Sequence, residues 1–219
     1  MLSCRMEPNR RSSFGPQNDA APPDRVWIVG GGPSLRGFDF RCLRDEYVLV
    51  VNDAFRSLPL ARGVVSIDAH WQAHRLRELS TFSGTRYICH REGAQPSALP
   101  GSILIPFVSE PDLSHSWRRI HAAGSSGYAA LNIAVLLGAR WIGLLGFDYT
   151  NPGRHWHREY NWPSGQPADT WRQWGQAFST CQSTLDSLGV QVINFNPESA
   201  ITAFPTKEIT CLSSFLRRR

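Results

Sequence analysis

Apolar residues fall in short unbroken runs, each closed by a polar or glycine-rich break. Residues 26–29 end in Gly30-Gly31-Gly32, 47–51 in Asn52-Asp53, 64–67 in Asp68 and 141–145 in Gly146. Residues 86–89, 103–105 and 190–193 are further runs of the same kind. Runs that stay apolar, instead of alternating, predict strands buried on both faces, as in a mainly parallel sheet. Helices are predicted between them. Ser125 and Ser126 cap a helix over 128–137 that stops at Gly138, residues 170–188 predict another with Gly189 past its end, and 206–216 a short one. The alternation predicts an α/β fold: a Rossmann-like, mainly parallel sheet with helices on both faces. Residues 1–23, rich in Pro, Arg, Ser and Asn without periodicity, read as a disordered tail, and 24–219 as a single nucleotide-binding α/β domain.

Composition narrows the class. Hydrophobic residues are 42% and charged residues 19% of the 219, which excludes a wholly disordered, collagen-like or coiled-coil chain. No apolar stretch approaches the ~18 residues of a membrane span, and no secretory core opens the chain. The five cysteines form no C-x-x-C pair, so reduced thiols in a cytoplasm are expected and cysteine-held zinc is not. Net charge is +5 with a pI of about 9.2, and every basic residue but Lys207 is arginine. The arginine fork suits phosphate, so a nucleic-acid partner is compatible with the charge. Coding bias explains the same count, and Arg5, Arg10, Arg11, Arg217, Arg218 and Arg219 lie at the chain ends.

In parallel α/β sheets ligands bind beyond the carboxyl ends of the strands, where these polar breaks fall. Gly30-Gly31-Gly32-Pro33-Ser34-Leu35 is a glycine turn with a proline where a helix can start, suited to phosphate or simply to a sharp turn. It lacks the Lys of a Walker loop and the third glycine of a dinucleotide fingerprint. Gly124-Ser125-Ser126-Gly127 opens a helix, as an ordinary cap or as a second anion cradle. Asp148 and Tyr149 follow a strand and lead into a long loop carrying His155, His157 and Tyr160, whose histidines are candidates for a general base. Asp68 precedes His70 and His74, spaced to share a helix face. The set reads either as a metal site or as a capping aspartate with two solvated histidines. Asn196-Pro197-Glu198-Ser199 closes the last strand and reads as a capped turn or as a fifth segment of the crevice.

Taken together these blocks resemble the bacterial sialyltransferases of glycosyltransferase family 42. Gly30 to Leu35 is similar to that family's GNGPSL start, and Asn52 follows the second strand as an asparagine does there. Ser125-Ser126-Gly127, Leu137-Gly138 and Gly146-Phe147-Asp148 resemble its TSG, ALG and SGID blocks in order and spacing, and Asn196 to Ala200 its late CPNSL segment. The sequence also resembles phage-type relatives with a GGGPSL…LLGFD…HWH pattern, and the 6-hydroxymethylpterin pyrophosphokinase-like group. The sialyltransferase resemblance implies inverting transfer from a CMP-sugar-like donor without a required cofactor, to a glycan or a modified nucleic acid. It implies Gly30, Gly31, Gly32, Pro33, Ser34, Asn52, Asp53, Ser125, Ser126 and Gly127 around the nucleotide and Tyr149 and Tyr160 near its phosphate. His157, or His155, stands as base, with Asp148 in the catalytic group. The chain departs from the pattern at Gly31, where the family has an asparagine, and in its shortened lid. The pyrophosphokinase-like resemblance implies instead Mg²⁺ on Asp68 and Asp148. A non-catalytic nucleic-acid-binding module is the third reading, and a homo-oligomer is compatible with all three.

Overall fold

The computed structural model describes residues 23–96, 99–150, 155–157 and 167–216. Tyr160 and most of the expected tail lie outside the described residues. The described chain forms one eight-stranded, all-parallel sheet with helices around it, an α/β Rossmann-like fold. Its strands are β1 (Arg25–Val29), β2 (Val48–Val51), β3 (Gly63–Ser66), β4 (Thr85–Arg91), β5 (Ile103–Val108), β6 (Ile120–His121), β7 (Trp141–Leu145) and β8 (Gln191–Asn194). They lie in the order β6-β5-β4-β3-β2-β1-β7-β8. The chain therefore builds outward from β1 to β6, then returns to lay β7 on the other side of β1. The order reverses between β1 and β7, the point at which open α/β sheets bind ligands, beyond the carboxyl ends of the strands.

Strand composition follows from double coverage. In β1, Val26 and Ile28 pack on one face while Trp27 and Val29 pack on the other, all fully buried. The Val26 face is covered by α3 (Ser126–Leu136) and, near Phe178 and Leu185, by α4 (Ala168–Ala177) and α5 (Gln182–Leu188). The other carries α1 (Ala69–His74) and α2 (Leu76–Ser80), through Trp71 and Leu79, with 3-10 turns at Leu35, Leu43 and Leu212. Among the described residues no helix is long and apolar enough to cross a membrane.

Helix α3 is the return element and is buried along most of its length. Ser125 caps it by accepting from Tyr128 N at 3.1 Å. Gly138, at φ 95°, ends it, with Ala139 N on Ala134 O and Gly138 N on Val135 O closing the last turn. The single helix expected over 170–188 is instead α4 and α5 with a 3-10 turn, Phe178–Cys181, between them. Ser179 Oγ and Thr180 Oγ1 donate to the carbonyls of Gln176 and Ala177, and such side chains compete with the backbone ladder where the helix tightens. The helix expected over 206–216 is a 3-10 stretch, Ile209–Ser214. Edge strand β6, two residues long, has too few positions to show a period.

Candidate functional site

The glycine turn after β1 lies hard against the end of β7. Gly30 N donates to Leu145 O at 2.7 Å and Gly32 N to Gly146 O at 2.8 Å. A Cβ on Gly30 would stand 2.7 Å from Gly146 O, and one on Gly32 2.5 Å from Asp148 Cγ. Both glycines are thus demanded by close approach. Pro33 does start a helix, but only the three-residue 3-10 turn Pro33–Leu35.

Asp148, 4% exposed, is a latch between three loops. It accepts Ser34 N at 2.8 Å, Ser34 Oγ at 2.5 Å and Asn196 Nδ2 at 2.8 Å. Its own carbonyl accepts Ala200 N at 2.8 Å. The amides of Gly30, Gly32 and Ser34, expected to face a phosphate, are therefore engaged with the β7 loop. A protein carboxylate holds the place at Ser34. Asn196 is thereby joined to the end of β7.

His155 and His157 come down onto this turn. His155 Nδ1 lies 3.1 Å from Gly31 O, and Trp156 donates N to Gly31 O at 3.1 Å and Nε1 to Gly30 O at 2.9 Å. Facing a carbonyl, Nδ1 carries the proton, so Nε2 holds the ring's lone pair. A Cβ on Gly31 would stand 2.4 Å from His155 Nδ1. The two imidazoles stack with centroids 5.1 Å apart and planes 3° from parallel. Burial, ahead of other effects, pushes His155 below its usual range; burial and then the neighbouring His155 push His157 down to about 4. Both rings are neutral at pH 7 and can accept a proton.

The serine-led start of α3 joins the same end of the sheet. Gly30 and Gly127 flank one ring: their Cβ positions would lie 3.2 Å and 2.9 Å from Phe147 carbons. Ser126 Oγ accepts Ile67 N at 3.1 Å, fixing α3 to the end of β3. Ser125 Oγ lies 3.3 Å from Tyr149 Oη. Tyr149 takes the left-handed backbone region at φ 53°, and burial pushes its phenol up to about 12, so it stays a proton donor. A residue other than glycine strained at a strand end is the kind of outlier that clusters at functional sites. Asn52 is a second, at φ 49° after β2, and its buried Oδ1 has no hydrogen-bond partner among the described residues.

Other candidates are committed elsewhere. Asp53, 2% exposed, accepts Trp71 Nε1 at 3.0 Å and Arg75 Nε at 2.8 Å, anchoring α1 to β2. Asp68 caps α1, accepting His70 N and Trp71 N, each at 3.0 Å, and His70 and His74 are exposed. The capping alternative describes it, although the shared helix is real. Among the described residues no group of three or more His, Cys, Asp and Glu is placed to hold a metal ion.

Sequence reasoning missed the aromatic wall. Trp171 of α4 packs 6.0 Å from His155 and 6.2 Å from Tyr149, and Trp174 packs 5.4 Å from Trp171. The buried Trp171 Nε1 has no hydrogen-bond partner among the described residues. Tryptophans three apart in a helical stretch following the histidine loop were the available signal.

Comparison of the chain with protein-family models, with curated proteins and with solved structures finds no match in any of the three. What the fold defines is the class: a doubly wound, all-parallel α/β domain whose strand order reverses between β1 and β7.

Proposed function

We propose that this chain is a nucleotide-sugar-dependent glycosyltransferase of sialyltransferase type, inverting, with a histidine base. One observation carries the reading: a stacked pair of neutral imidazoles meets the glycine turn through His155, at the strand-order reversal where open α/β sheets bind nucleotides. The resemblance of residues 30–35, 125–127 and 146–148 to family 42 sialyltransferases supplies the substrate class, a CMP-sugar-like donor. Tyr149 and Ser125 present hydroxyls to the leaving phosphate, and Asn52 Oδ1 offers a buried acceptor to a donor group of the nucleotide.

In the displacement the acceptor oxygen bonds to the anomeric carbon as the bond to the nucleotide phosphate breaks. The hydroxyl proton passes to His157, and the nucleotide leaves with the electron pair. His155, pinned on Gly31 O, positions its neighbour. A bound nucleotide's negative charge raises both histidines' pKa, strengthening the base as the donor arrives.

The test is nucleotide release from CMP-, UDP- and GDP-sugars with hydroxyl acceptors. Release from one donor class is expected, and His157→Gln lowers its rate about 10²–10⁴-fold, the range for loss of a general base. Release from none of the donors would overturn the proposal.

A further inference from the structure

Helix α4 turns an aromatic face toward the candidate site. Trp171, Trp174 and Phe178 stand three and four residues apart, the spacing of one helical face, while Arg172, Gln173 and Gln176 are exposed. Phe178, at the end of the helix, is fully buried, with ring centroids 5.7 Å from Tyr149 and 6.0 Å from Phe147. It seats α4 in the core.

From that seat the helix meets four loops. The Trp171 ring lies 6.0 Å from His155, tilted by 56°, and 6.2 Å from Tyr149. Trp174 covers the turn that starts α3, where a Cβ on Gly124 would stand 2.8 Å from its Nε1. Gly175 brings the helix close to the loops after β7 and β8. A Cβ there would stand 3.2 Å from Tyr149 Cβ and 3.4 Å from Ala200 Cβ.

His155 needs support of this kind. Its bond to Gly31 O fixes one ring atom, and the second side-chain torsion of histidine is soft, so that bond alone lets the ring pivot. His157 stacks on it but belongs to the same loop and moves with it. The Trp171 ring comes from a separate element anchored in the core.

We propose that Trp171 is a positioning residue of the histidine pair: its ring holds His155, and through it His157, in the orientation that takes up the acceptor proton. The catalytic part of this assignment rests on the transferase reading. The indole N–H has no hydrogen-bond partner among the described residues, so a flat ring is what the position requires, and phenylalanine supplies one.

Trp171→Phe, Trp171→Leu and Trp171→Ala test it by two readouts. The first is nitrogen-15 NMR of the imidazoles at pH 7, with His155 assigned from the signal missing in His155→Gln. The wild type and Trp171→Phe are expected to carry the His155 proton on Nδ1 alone, and Trp171→Leu and Trp171→Ala to show both tautomers in exchange. The second is steady-state kinetics with the donor that the wild type accepts. In the leucine and alanine variants kcat is expected to fall about 10²-fold, the scale of a misplaced catalytic group, with KM for the donor little changed. Trp171→Phe is expected to keep the wild-type kcat. Trp171→Leu retains an apolar side chain on the inner face and serves should the alanine variant not fold. A single Nδ1–H tautomer in Trp171→Leu, a wild-type kcat in that variant, or a phenylalanine variant as impaired as the leucine one would each overturn the assignment. If the wild type turns over no donor, the transferase reading fails instead, and the tautomer readout still decides whether Trp171 holds His155.

Discussion

Gly31 is the residue on which the site is most finely balanced. Any side chain there meets His155 at 2.4 Å, so Gly31→Ala displaces the imidazole from the carbonyl that fixes its tautomer. Transfer activity is expected to fall about 10²-fold, the scale of a misplaced catalytic group, with the melting temperature nearly unchanged. Wild-type activity in Gly31→Ala, measured as kcat/KM, would separate His155 from the chemistry. His157 makes the second prediction. Its pKa is lowered from 6.5 to about 4 in the fold, so between those values the unfolded chain binds more protons than the folded one. Stability therefore falls as pH drops through that window. His157→Gln removes that contribution, and urea titrations of both proteins at pH 4.5 and 7 measure it as a smaller pH difference in the variant. The glycines and histidines were legible as types in the sequence. Their mutual packing was not, because Gly31 and His155 are 124 positions apart and only the fold joins them.

Loops, more than helices, assemble the site at the scale of elements. Asp148 gathers the ends of β1, β7 and β8 through Ser34 and Asn196. In Asp148→Asn an amide N–H₂ replaces one acceptor oxygen and confronts a donor. A loss of about 1–3 kcal/mol is expected, the cost of an unsatisfied buried group, read by chemical denaturation. A loss near zero would mean that the latch is dispensable. The strands other than β6, and α3, were legible, for β1, β2 and β7 are apolar throughout and α3 has both its caps in sequence. The break between α4 and α5 was not, since Ser179 and Thr180 tighten a stretch whose periodicity is continuous. The strand-end position of Asp148 pointed to chemistry or metal, and nothing local reveals that its oxygens are met by Ser34 and Asn196.

At the scale of the whole molecule, several of the described arginines are engaged within the fold. Arg25 pairs with buried Glu46, Arg75 with Asp53 and Glu78, and Arg86 donates to the carbonyls of Phe82, Pro100 and Gly101. Part of the basic composition is thus structural, which the net charge of +5 cannot convey. The sheet order, by contrast, is what places Gly31, the start of α3 and Tyr149 at one end of the molecule, and strand–helix alternation foretold the class though not the order. The account stands on that end of the sheet binding an activated sugar nucleotide. Its most direct measurement is the melting temperature of the full chain with CMP-, UDP- and GDP-sugars. One of them, at about 100 times its Kd, is expected to add about 2.7 kcal/mol and raise the melting temperature by roughly 5–10 °C. A melting temperature unmoved by all three would contradict it.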